Sequence, residues 1–240
     1  MWYQVQQPDQ FTSPSLLFYK ERIIDNIKLM ISIAGNANRL VPHVKTHKTR
    51  EITLLQMEQG ITKFKCATIA EAEMIASCGC KWILIAYQLV GPNIERLIKL
   101  KAVYPDTQFA SLVDDFETAL ELNALGQNHQ LYFQTFVDIN NGMNRSGHPI
   151  DENLIPFLRE LQKLEYVEIK GLHLYDGHVH SSSFEERLQQ STEAFELADD
   201  SIRFAKSIFG SELMIIAGGS PSFTVHTMRD DIYLSPGTNV

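Results

Sequence analysis

Five short clusters contain residue types that could do chemistry together. The first is Pro42-His43-Val44-Lys45-Thr46-His47-Lys48. A lysine amine held at a strand end, partly desolvated and near Lys48 and any protonated His43 or His47, loses basicity and becomes a nucleophile toward an aldehyde. His43 and His47 could be read as a metal pair, but without a helix to carry them and a nearby carboxylate no metal site is assigned to them. The second cluster, Asp138 to Gly147, is a polar loop with Arg145 as a permanent cation able to pair with an anionic oxygen. In the third, Gly171 to His180, strand alternation sends Gly171, His173 and Tyr175 to one face, suited to stacking and acid-base work. The last two are Ala217-Gly218-Gly219-Ser220-Pro221-Ser222 and Ser235-Pro236-Gly237-Thr238, whose glycines and hydroxyls suit a phosphate. Together the five ask for one small ligand carrying an aldehyde, an anionic oxygen and a phosphate.

Those clusters need elements that bring them to one place. Short β-branched runs alternate with stretches of helical periodicity, the pattern of parallel β/α units. Eight strands are expected near residues 40–45, 63–68, 82–87, 108–113, 131–139, 168–175, 213–217 and 232–235. Runs such as Trp82-Ile83-Leu84-Ile85-Ala86-Tyr87 suit strands covered on both faces. The expected fold is a (β/α)8 TIM-type barrel of class α/β, whose strand C-termini carry the working residues and whose last two loops commonly bind phosphate. Thr68 with Glu71, and Asp114 or Asp115, read as helix caps. Glu21 to Ile33 reads as the first helix, Ser15 to Tyr19 as an extra strand ahead of the barrel, and Phe184 to Ile208 as the longest helix.

Composition narrows the partners. The 240 residues, 44% hydrophobic, are enough for one barrel domain over 1–240. A formal net charge of -8 without a basic stripe argues against nucleic acid. Met1 to Gln10 lacks the features of a signal peptide, and no run approaches a membrane span. Cys66, Cys78 and Cys80 form no CxxC motif and read as packing residues in a reducing, cytoplasmic setting.

In their order and spacing, Pro42 to Lys48, Gly142 to Gly147, Tyr175-Asp176-Gly177-His178, Gly218 to Pro221 and Pro236-Gly237-Thr238 resemble the D-threonine aldolase and eukaryotic-type D-serine dehydratase family. The likeness covers essentially the whole chain. More distantly the chain is similar to the alanine racemase N-terminal domain and other fold-type III pyridoxal phosphate enzymes. The resemblance implies pyridoxal 5'-phosphate held as a Schiff base on Lys45, with Arg145 near its phenolate oxygen. It implies a phosphate cradle of Gly218, Gly219, Ser220, Gly237 and Thr238, with Tyr175 and His178 lining the site. Lys45 and His178 are the candidate bases for a lyase acting on a D-β-hydroxy amino acid such as D-threonine or D-serine. The alternatives are a racemase of the same fold and a non-catalytic pyridoxal phosphate carrier. Two departures matter. Alanine racemases carry an arginine against the pyridine nitrogen where this chain has Ser235, which favours lyase chemistry. Family members also continue into a C-terminal β-domain supplying ligands for a divalent metal, absent from these residues; a homodimer is implied as well.

Overall fold

The computed structural model describes residues 3–238. After a 3-10 turn at Pro8–Gln10 come helix α1 (Lys20–Ala34) and then an extended segment, residues 40–43, that enters the sheet. There follow α2 (Arg50–Glu58), β1 (Lys63–Cys66), α3 (Ile69–Ser77), β2 (Trp82–Gln88), α4 (Pro92–Val103), β3 (Gln108–Val113) and α5 (Phe116–His129). The second half comprises β4 (Phe133–Asn140), a two-residue β5 (His148–Pro149), α6 (Leu154–Leu161), β6 (Val167–Leu174), α7 (Phe184–Glu196), α8 (Asp199–Phe209), β7 (Met214–Ala217), α9 (Phe223–His226) and β8 (Ile232–Leu234). Every strand pairing is parallel, in the order β1-β2-β3-β4-β6-β7-β8, with β5 attached to β4. Residues 40–43 close the ring between its ends. Val41 N–H donates to the Leu234 carbonyl, His43 N–H to Pro236, and Lys65 N–H to Pro42. The sheet and its helices are the expected α/β barrel.

The two faces of the strands separate by residue parity. Val41, Leu84, Ala110, Leu112, Phe136 and Ile216 form a compact cluster inside the barrel. The alternate residues, such as Phe64, Ile83, Ile85, Val137, Leu172 and Leu174, pack outward beneath the helices in the large core. Gly171 makes this possible on β6, because a Cβ there would collide with the Phe136 ring and the Met214 carbonyl. Helix caps follow sequence: Thr68 Oγ1 accepts from Glu71 N–H at 3.2 Å and Asp115 Oδ1 from Thr118 N–H at 2.7 Å.

Three expectations need correction. The first strand stops at His43, and Lys45 lies in a 3-10 turn, Val44–Thr46, capped by His43 Nδ1 accepting from Lys45 N–H at 3.2 Å. Residues 15–19 form no strand, and Leu16, Leu17 and Phe18 are exposed; a closed barrel leaves no open edge for them to join. The span Phe184 to Ile208 is two helices, α7 and α8, parted at Leu197 and Ala198. Asp199 and Asp200 are poor in a helix interior but favourable in the first turn they occupy in α8. Among the described residues no helix is long and apolar enough to cross a membrane.

Candidate functional site

The C-terminal ends of the strands converge on one cavity. Lys45, Lys65, Tyr175, Ser220, Ser235 and Thr238 line it, together with His43, Gly219, Pro221 and Gly237. Tyr175, directly after β6, stands at its centre. Lys45 Nζ is 5.7 Å from the Tyr175 ring centroid and the Arg145 guanidinium carbon 5.0 Å. Gly177 and Gly219 let the ring lie there, since a Cβ on either would press on it.

The turn carrying Lys45 is held from both sides. The Thr46 hydroxyl donates to the Gly237 carbonyl, tying it to the last loop, and Lys48 Nζ donates to the Lys45 carbonyl at 3.0 Å. Partial burial lowers the Lys45 pKa, and the positive charges of Arg145 and Lys48 lower it further against the opposing pull of Glu71. The histidines expected to share in this do not. Burial and the surrounding lysines push His43 down to about 2, and burial takes His47 to about 4, so neither is a cation near neutrality.

Arg145 is positioned by its loop. Asn140 Oδ1 accepts from the N–H groups of Gly142 and Asn144, and Asp114 Oδ2 accepts from Gly147 N–H at 2.8 Å. Below it, Asp138 accepts from the Ser146 hydroxyl and Gln88, and lies 2.6 Å from His173 Nδ1. Burial alone would raise the Asp138 pKa, but the bond from His173 and those from Ser146 and Gln88 hold it low.

The two glycine loops meet at an oxygen. Backbone N–H groups of Gly237 and Thr238 both donate to Ser220 Oγ, at 2.9 and 2.7 Å. Two donors converging on a single oxygen form a nest suited to an anionic oxygen. Gly219 contributes its missing side chain rather than a donor, because its N–H is turned to Ser222 Oγ at 3.0 Å, which is buried outside the cavity, whereas Ser220 lines the cavity beside Gly237 and Thr238. Gly218, with φ +83, supports the turn against His226 and does not line the cavity. Beneath the loop lies a network that sequence reading missed. Asp176 accepts from Ser222 at 2.5 Å and Ser191 at 2.8 Å, and is 2.9 Å from His226 Nε2. It is 1% exposed; burial would raise its pKa, but His226, Ser222 and Ser191 hold it low.

His178 faces a neighbouring cavity with Asn141, Gly142 and Glu193, not the one lined by Lys45. The structure adds Lys65, buried on β1 and unanticipated, and the Ser235 hydroxyl, which is buried and finds no hydrogen-bond partner among the described residues. A lysine of lowered basicity, a flanking arginine, an aromatic platform, an orphan hydroxyl and an anion nest fit the donor set that pyridoxal phosphate requires. Lys45 would hold its aldehyde carbon, Arg145 its phenolate oxygen, and Ser220, Gly237 and Thr238 its phosphate. Among the described residues no group of three or more His, Cys, Asp or Glu could hold a metal ion.

Known proteins place the chain. D-threonine aldolase of Arthrobacter sp. is 26% identical over 188 residues, 78% of this chain and 49% of that protein. D-threo-3-hydroxyaspartate dehydratase of Delftia sp. is 25% identical over 141 residues, 58% of this chain and 37% of that protein. The chain thus spans half or less of the length of these curated relatives. The crystal structure of D-threonine aldolase from Filomicrobium marinum superposes with a TM-score of 0.86 at 25% identity, covering 95% of this chain and 62% of that one. The family model described as "Alanine racemase, N-terminal domain" matches residues 20–232. With its barrel and its lysine-bearing mouth, this chain belongs to the alanine racemase N-terminal domain family of fold-type III pyridoxal phosphate proteins.

Proposed function

We propose that this chain binds pyridoxal 5'-phosphate on Lys45 and serves as a lyase for D-β-hydroxy amino acids of the D-threonine or D-serine kind. The observation that carries the reading is the convergence of Lys45, Arg145 and the Gly237 and Thr238 N–H groups around Tyr175 and one cavity. When bound, that cofactor supplies an aldehyde to amines and a ring that accepts the electron pair released at the substrate α-carbon. The chain's residues do the rest. Lys45 presents a free amine, because burial and Arg145 disfavour its charged form. Arg145 pairs with an anionic oxygen, and the Tyr175 ring packs flat surface against flat surface. Ser220, Gly237 and Thr238 anchor the phosphate. Ser235, where related racemases carry an arginine by the resemblance noted above, offers a neutral hydroxyl and leaves the ring free to accept electrons, which supports a lyase over a racemase.

Borohydride reduction of the protein mixed with pyridoxal phosphate, followed by peptide mass spectrometry, should place a pyridoxyl group on Lys45. A Lys45→Ala variant that keeps the bound cofactor's visible absorbance, with the pyridoxyl group trapped at another lysine, would sink the assignment. With D-threonine or D-serine, and with and without added divalent metal, the reading expects glycine plus aldehyde, or pyruvate plus ammonia. Appearance of the L-enantiomer alone identifies a racemase, and a labelled Lys45 without turnover of either substrate identifies a carrier. A homodimer belongs to the same reading and is checked by light scattering.

A further inference from the structure

Lys65 carries an inference of its own. It is 2% exposed on β1, its Nζ 3.4 Å from His173 Nε2 and 5.7 Å from the Tyr175 ring centroid, and it lines the same cavity as Lys45. The groups facing it are His43 and Lys45 from the first segment, Asp138 on β4, Arg145 on the loop beyond, and His173, Tyr175 and Asp176 on and after β6. Neither carboxylate serves it directly. Asp138 is taken by His173, Ser146 and Gln88, and Asp176 by His226, Ser222 and Ser191. Among the described residues Lys65 makes no ion pair. A buried ammonium without a counter-charge is costly. Burial first, then Lys45 and Arg145, accordingly push the Lys65 pKa down to about 7 against the pull of Asp138 and Asp176.

His173 settles how the amine is held. Burial and Lys65 lower its pKa, so its ring is neutral, and with Nδ1 committed to Asp138 its Nε2 lone pair is left to accept from Lys65. One N–H of Lys65 is fixed, and the rest of the amine is free to meet a ligand.

We propose that Lys65 is the proton partner of the bound ligand: it meets an anionic, phosphorylated ligand as an uncharged amine, takes up a proton as that ligand seats, and holds it as an ammonium. The ligand's anionic oxygens supply the counter-charge that the protein withholds. The two lysines then have opposite duties, Lys45 staying uncharged to take an aldehyde while Lys65 becomes charged against the same molecule. This inference rests on reading the cavity as a pyridoxal phosphate site.

The test is calorimetric titration with pyridoxine 5'-phosphate, which lacks the aldehyde and leaves Lys45 unlinked. Measured at pH 8 in buffers of different ionisation enthalpy, heats of binding give the protons taken up per ligand. The wild type should take up more than Lys65→Met, by an amount on the order of one proton. The difference should fade at pH 6, where Lys65 is already protonated in the free protein. Lys65→Arg, charged throughout, should bind with the low uptake of Lys65→Met, which covers the case in which the methionine variant folds poorly. Equal uptake by the wild type and the variants overturns the inference while leaving the cofactor reading intact. Failure of pyridoxine 5'-phosphate to bind the wild type overturns both.

Discussion

Ser222 donates to Asp176 across 2.5 Å of the protein interior, and through that bond the phosphate-type loop is fastened to the strand end that carries Tyr175. The same hydroxyl accepts from Gly219 N–H, so one serine sets the course of the loop while one carboxylate sets the serine.

Asp176→Ala should therefore loosen the loop without touching the cavity wall. It leaves Ser191, Ser222 and His226 without their shared acceptor, and removing one member of a buried charged network costs about 3 kcal/mol. Urea unfolding reads that loss. Equilibrium dialysis of pyridoxal phosphate should show affinity reduced about tenfold. The pH response has a definite sign. Asp138 and Asp176 are held below the ordinary carboxylate value, so their stabilisation is present above about pH 4 and is lost as pH falls through the lower native values. An Asp176→Asn variant should show a flatter acid limb in its unfolding midpoint than the wild type.

Arg145→Met should move Lys45 in the alkaline direction. The guanidinium is the leading charge that disfavours the Lys45 ammonium, and without it more of the amine is protonated at a given pH. Borohydride trapping of pyridoxal phosphate, followed across pH 6 to 10 (about the range set by ordinary His and Lys values), should reach half-maximum at higher pH in the variant. An unshifted midpoint would show that Arg145 does not control Lys45.

Lys65→Met should make the protein more stable while removing the proton uptake described above. An apolar side chain of similar length removes the desolvation cost of a buried amine that has no counter-charge, a gain on the order of 1–4 kcal/mol by comparison with buried ion pairs replaced in the same way. In the wild type Lys65 binds a proton in the unfolded chain between pH 7 and its ordinary value, but not in the folded one, so its contribution to stability rises with pH over that window. The advantage of the methionine variant should accordingly be largest near pH 7 and shrink toward pH 10 (about the ordinary lysine value), as read from urea midpoints.

Much of this architecture is legible in the chain, and the exceptions have physical causes. Continuous apolar runs such as Trp82 to Tyr87 announce strands buried on both faces, and Thr68 and Asp115 announce the helices that follow. Lys45 is legible by type and neighbourhood, but not its conformation, because His43 turns its own ring back to cap the next turn and ends the strand early. Lys65 escapes notice because Lys63-Phe64-Lys65-Cys66 has the alternation of a strand with one wet face. In a barrel that face is the lumen, where Lys63 meets the Tyr233 ring and Lys65 meets Tyr175. A charged residue on a strand that the topology buries twice was the available signal. The Asp176 network joins residues up to fifty positions apart, and no local pattern records such a meeting.

Gly171→Ala tests the barrel's interior packing. The added methyl would meet both a ring, Phe136, and a backbone carbonyl, Met214, so relief requires a strand to shift. Overpacking of this kind costs about 1–3 kcal/mol. Thermal unfolding should register that loss, and an unchanged melting temperature would mean that β6 and β7 can part at no cost.

The barrel is joined by its least continuous stave. Residues 40–43 touch β8 and β1 through only a few backbone hydrogen bonds, and the reactive amine stands just beyond them. Lys45 lies on one side of that seam and the Gly237 and Thr238 donors on the other. A ligand gripped at both ends would act as a rivet across the joint. Occupancy should then be felt as protection of the Val41, His43 and Lys65 amides from solvent exchange, far more than as any change in the helices outside.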